Sequence, residues 1–150
     1  MDSLDLYADI LPGKGLGGIA VGKNITEYSA LLFQLDLVGA LHFSQTGIYS
    51  VRYGFSDFPI EINVDIRNGN IYKISALNGY LGKFRHIGIG TEISVLLNAN
   101  LNFYYDACDE AFYSRDIRGI SIEAAEDDPD FDDIAKMNVK YISVYSLGQE

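Results

Sequence analysis

Gly13-Lys14-Gly15-Leu16-Gly17-Gly18 carries the G-x-G-x-x-G spacing of a dinucleotide-binding loop. Such a loop binds a pyrophosphate only where it closes a strand, opens a helix and belongs to a βαβ unit. Neither flank meets that condition. Twelve residues precede it and end in Pro12, which lacks the N–H needed inside a central strand. After it comes Ile19-Ala20-Val21-Gly22, an apolar strand-like run rather than a helix. Asp36 stands at a separation suited to a ribose contact but falls inside a helical pattern, and the G-K-[ST] ending of a phosphate loop is absent. The stretch is therefore expected to be a sharply turning lead into the first strand, and no cofactor is expected.

The first helix signal is Asn24, whose side chain can accept from the free N–H groups of a first turn, with Glu27 completing a capping-box pattern. Ile25, Tyr28, Leu31, Leu32 and Leu35 recur at helical spacing up to Gly39 and predict one apolar face. Strand patterns follow at 41–44 and 48–55, joined around Gly47. From Ile60 the chain alternates apolar and polar residues to Ile66. Asn68-Gly69 then predicts a tight hairpin with positive φ angles, returning through 71–76.

At Ile87 the pattern repeats. Ile87-Gly88-Ile89-Gly90-Thr91-Glu92-Ile93 aligns with Ile19-Ala20-Val21-Gly22-Lys23-Asn24-Ile25, and Leu96 stands opposite Tyr28, 68 residues on. Each copy predicts a short strand, a glycine able to take positive φ, a capping position and an amphipathic helix, the second helix being shorter. Further strands are expected at 101–106, 111–114, 119–123 and 139–145. The fold class is α+β: mostly antiparallel β-sheet with two helices and a two-fold internal strand–helix repeat. One domain spans 1–150, with halves at about 1–82 and 83–150. The expected core comprises Ile19, Val21, Ile25, Leu32, Ile62, Val64, Ile74, Ile87, Ile89, Ile93, Ile120, Ile122, Ile142 and Val144.

Net charge is −10, but it is not evenly spread. Residues 106–133 hold 11 of the 21 acidic residues and only Arg115 and Arg118 as basic ones, so this window alone carries −9. Such a patch repels phosphate, which argues against nucleic-acid or anionic-membrane binding, and it steers a basic partner inward. The competing reading is a solvated face that serves solubility. With one cysteine, no basic N-terminal leader and no apolar run of membrane-spanning length, the expected setting is cytoplasmic.

Catalytic constellations are not evident. His42 and His86 lack metal-ligand spacing, and Asp106, Asp109 and Glu110 around Cys108 disfavour the thiolate a nucleophile needs. The run at 126–133 lacks the central Gly and spaced terminal Glu of a calcium loop. No catalytic, cofactor-binding or metal residue is assigned, and the chain is expected not to be an enzyme. Tyr104, Tyr105 and Tyr113 border the acidic window, and tyrosine suits interfaces because ring and hydroxyl serve both environments. Strand alternation places some of them equally well in the core.

Three segments carry a resemblance: LPGKGLGGIAVGKNI, GKFRHIGIGTEISVLL and YYDACDEAFYSRDIRGISIEA. Together they resemble the small immunity proteins of bacterial polymorphic toxin systems, including contact-dependent growth inhibition and Rhs-type loci. The resemblance implies a cytosolic inhibitor that binds one cognate toxin domain, commonly a nuclease, without catalysing anything. Nuclease clefts are basic, so the acidic window is the expected toxin-binding surface: Asp109, Glu110, Asp116, Asp127, Asp128, Asp130, Asp132 and Asp133, with Tyr104 and Tyr113. A non-catalytic ligand-binding or scaffold module is the alternative.

Overall fold

The computed structural model describes residues 3–124 and 133–147. The glycine stretch is a hairpin: β1 (Gly15–Leu16) pairs antiparallel with β2 (Ile19–Ala20), Leu16 opposite Ile19. Gly17 (φ 67°) and Gly18 (φ 88°) form its two-residue turn, the mirror-image type whose twist matches paired strands and which needs positive φ at both positions. Leu16 and Ile19 are buried in the core.

After a 3₁₀ turn, Ile25–Tyr28, comes α1 (Ser29–Leu37). The cap expected at Asn24 is present in full, its side chain accepting from the Thr26 N–H while the Glu27 carboxylate accepts from the Asn24 N–H. Strands β3 (Leu41–Gly47), β4 (Ser50–Phe55), β5 (Ile60–Asp65) and β6 (Asn70–Ala76) form a meander. The second half contributes α2 (Ile93–Leu97), β7 (Phe103–Asp106), β8 (Ala111–Ser114), β9 (Ile120–Ala124) and β10 (Val139–Tyr145). All eight join in one antiparallel sheet of order β3-β4-β5-β6-β10-β9-β8-β7, so the α+β reading holds.

The two meanders meet where β6 pairs with β10, with Ser75 opposite Ser143. These serines are 68 residues apart and share a buried hydroxyl–hydroxyl hydrogen bond of 2.7 Å, which places the local two-fold axis between them. Three backbone bonds recur at the same offset. Gly22 N–H donates to Ile71 C=O as Gly90 does to Val139; Ile71 N–H donates to Lys23 C=O as Val139 does to Thr91; Ile25 N–H donates to Gly69 C=O as Ile93 does to Met137. Gly22 and Gly90 share positive φ, 86° and 90°. In the middle strands the correspondence becomes 60, with Ile60, Ile62 and Val64 matching Ile120, Ile122 and Ala124 on the same face. The second half thus lacks most of α1 and regains eight residues between β9 and β10, where the acidic run stands.

Three expectations need correction. The second copy of the repeat forms no strand: Ile87 makes only an isolated bridge to Phe84. Ile89 consequently lies half-buried, as do Val21, Ile25 and Leu32 at the margin of the core, whereas the other ten expected core residues are buried. The β5–β6 hairpin exists, but its loop is four residues long and only Gly69 takes positive φ (79°). The Asp65 carboxylate holds the Arg67 N–H and guanidinium there, and the Asn24 amide donates to the Asn68 carbonyl at 2.7 Å. The apolar face expected from Ile25, Tyr28, Leu31, Leu32 and Leu35 does pack on the core, Tyr28 fully and the other four half-buried, while Phe33 and Leu37 of α1 stay exposed.

Candidate protein-binding face

Alternation gives the large sheet two unlike faces. Ile60, Ile62, Val64, Ile71, Ile74, Phe112, Ile120, Ile122, Ile142 and Val144 point to the face covered by β1–β2 and α2. The opposite face presents Ser50, Arg52, Glu61, Asn63, Tyr72, Lys73, Ser75, Tyr141, Ser143, Tyr145, Ser121, Tyr113 and Tyr104. No described helix or strand lies over it. A bulge in β6, where Val64 pairs with Ile71 but Asn63 with Lys73, turns both Tyr72 and Lys73 toward this face.

Two adjoining depressions cross it and share Tyr72 and Tyr145. One, of about 410 Å³, is lined by Tyr49, Ser50, Asp65, Arg67, Tyr72 and Tyr145. Its walls are fixed: the Arg67 guanidinium stacks 4.5 Å from the centre of the Tyr49 ring and pairs with Asp65 at 2.8 Å. The Ser50 and Tyr72 hydroxyls bond at 2.5 Å. The other, of about 520 Å³, runs over Tyr72, Lys73, Tyr104, Tyr113, Ser121 and Tyr145 to Asp106 and Asp109.

Tyr104 and Tyr113 are cross-strand partners with ring centres 6.3 Å apart. Arg115 lies over the Tyr104 ring at 4.6 Å. The Tyr113 hydroxyl donates to Asp109 Oδ2 at 2.9 Å. Partial burial, reinforced by that carboxylate, pushes the Tyr113 phenol well above its ordinary value of 10.0. Asp106 is used locally, its Oδ1 accepting the Cys108 and Asp109 N–H groups and shaping the β7–β8 turn. Cys108 is exposed in that turn. Tyr105 faces the other way, its ring centre 5.1 Å from that of Phe112.

The acidic window is not one patch among the described residues. Asp109 and Glu110 lie exposed at one end of β8. Asp116 lies beyond its other end, about 13 Å of strand away, where it accepts from the Asn102 amide at 2.8 Å. Asp133 precedes the 3₁₀ turn Ile134–Lys136, which packs against α2 on the covered side. Asp127, Asp128, Asp130 and Asp132 lie outside the described residues. The structure brings together Tyr104, Tyr113 and Asp109 and adds Tyr49, Tyr72, Lys73 and Tyr145, which charge counting alone passes over. The signal available for Tyr145 was its alternation with Ile142 and Val144.

Among the described residues no group of three or more His, Cys, Asp or Glu side chains could hold a metal ion, and no helix is long and apolar enough to cross a membrane. The fold and this face define an α+β protein built on a duplicated, open-faced antiparallel sheet. No family model matches the chain, and no curated protein matches it in sequence. Among solved structures it is similar to the uncharacterized protein yfeY from Escherichia coli, at 18% identity and a TM-score of 0.61, over 90% of this chain and 98% of that one. That likeness shows a shared fold.

Proposed function

We propose that this protein is a non-catalytic binding protein that neutralises a basic partner, the cognate toxin domain implied by the resemblance, by seating it on the open face of the sheet. The observation that carries the reading is the tyrosine-walled trough across β6, β10, β9, β8 and β7, which ends on the Asp106 and Asp109 carboxylates. Tyrosines held by their neighbours bring large contact area at small entropic cost, and they dominate binding energy when they sit at the centre of an interface. Carboxylates at the rim speed the approach of a basic partner and select against acidic ones. The long acidic connection between β9 and β10 adds to that field.

A small-ligand reading has one observation in its favour: the depression at Tyr49, Arg67 and Tyr145, about 410 Å³, falls within the size range of small-molecule sites. Its openness to solvent favours a protein surface instead.

The test is binding to the protein encoded immediately upstream, measured as on- and off-rates at two salt concentrations. Tyr145→Ala should raise the off-rate by about 30-fold, as loss of a central anchor of about 2 kcal/mol requires. Asp109→Lys should slow association most at low salt. If both variants keep the wild-type rates, the open face is not the binding surface.

A further inference from the structure

Among the described residues a group of exposed apolar side chains lies elsewhere, on α1 and the edge strand β3. Phe33, Leu37, Val38 and Phe43 are 63–76% exposed, although α1 packs half-buried Leu31, Leu32 and Leu35 against the core. Apolar residues left together on the outer side of a helix and the strand beside it mark an interaction surface. The strand beside it, β3, is seven residues long with six of them exposed, and its outer backbone edge is unpaired within the sheet. Natural edges of this length are usually guarded by charge, proline or brevity. The opposite edge, β7, is guarded: it has four residues and ends in Asp106. Edge β3 is not, since residues 28–51 contain Asp36 as their only Asp, Glu, Lys or Arg.

We infer that this surface is covered by a second copy of the same chain, with the two β3 strands pairing antiparallel about a two-fold axis and the two α1 helices closing over the seam. Three observations select this occupant. An antiparallel edge is complementary to itself, so one strand supplies the whole interface and pairing uses it up, closing the assembly at two. The chain carries −10 overall, so two copies repel at most other contacts, whereas the 28–51 stretch is almost uncharged. The α1 extension also has no counterpart in the second half of the repeat, where α2 is five residues long and buries Ile93 and Leu96. A lipid surface fits poorly, because an interfacial helix needs basic residues along its polar face and α1 has none. The trough proposed for the partner protein lies on the other side of the sheet and is independent of this seam.

Sedimentation of the full chain from low micromolar to several hundred micromolar should show a species of twice the 16.6 kDa chain mass. Phe33→Glu and Phe43→Lys should each return it to monomer while far-ultraviolet circular dichroism stays unchanged. In a Cys108→Ser background, single cysteines at Ser44, Gln45 and Thr46 should yield a disulfide-linked dimer for at least one position, whereas Tyr104→Cys should not. A wild-type monomer across the whole range overturns the inference. So does a dimer that persists in both charged variants, or one that cross-links through position 104 but not through β3. The cysteine series keeps the test decisive if a charged variant fails to fold.

Discussion

Replacing Gly18 by alanine tests whether the glycine stretch is architecture. Gly18 sits at φ 88°, and a Cβ there would fall well inside contact distance of the Ser3 carbonyl oxygen. The left-handed conformation costs an L-residue about 1–2 kcal/mol. Forcing the backbone of residues 3–5 aside adds about 1–3 kcal/mol, as overpacking generally does. Gly22 is the control: φ is 86°, but a Cβ meets nothing within 4 Å. Gly22→Ala should therefore show only the conformational cost of about 1–2 kcal/mol, and Gly18→Ala about 2–5 kcal/mol. At about 2–4 °C per kcal/mol for a chain of this size, the second change lowers the melting temperature by roughly 4–20 °C. The assay is thermal and urea unfolding of both variants, with and without millimolar ATP or NAD. ATP and NAD should move neither melting temperature. A Gly18→Ala loss no larger than that of Gly22→Ala would refute the steric argument, and a nucleotide shift abolished by Gly18→Ala would revive the phosphate-loop reading.

Ile87→Ala should cost about 3–4 kcal/mol because the side chain is wholly buried. Ile89→Ala, at the margin of the core, should cost about 1 kcal/mol; equal losses in urea titrations would contradict the packing described for the second repeat. Tyr113 predicts a dependence on alkaline pH. Its folded pKa is raised, by burial first and by the Asp109 contact second, above the unfolded value near 10.0. The unfolded chain therefore releases this proton first, so its stabilising contribution is complete below pH 10 and declines as pH climbs beyond that value. Phenolate absorbance should show Tyr80 and Tyr113 titrating late, both raised chiefly by burial, and Asp109→Asn should move only Tyr113 down, without reaching its ordinary value.

Much of the scaffold was legible because it rests on short-range rules. Asn24 and Glu27 satisfy first-turn N–H groups whatever the rest of the chain does. Ile60, Ile62 and Val64 announce a half-buried strand by period alone. The match of Gly22 to Gly90 foretold two like chain reversals, which the structure repeats in φ and in hydrogen bonding. The candidate site was legible only in part, as acidic charge bordered by Tyr104 and Tyr113.

The tertiary structure decided the rest. Gly17 and Gly18 form a pinned hairpin because the hydroxyl of Tyr80, 63 residues away from Gly17, accepts the Gly17 N–H at 2.8 Å and donates to the Ala8 carbonyl at 2.5 Å. Alternation marks two sides of β10 but not which one the hairpin and α2 will cover, so Tyr145 gains its place in the trough only once β6 and β10 pair. Charge counting put Asp109 and Asp116 in one window, yet a strand between them carries the two to opposite ends of β8. Leu31, Leu32 and Leu35 reach the core as their spacing predicts, but what becomes of Phe33 and Leu37, exposed on the same helix, depends on an edge strand and on what lies beyond it. Periodicity is written in neighbours a few residues apart, whereas a face, an edge and a trough are relations among segments 60 or more positions apart, and no local pattern encodes them.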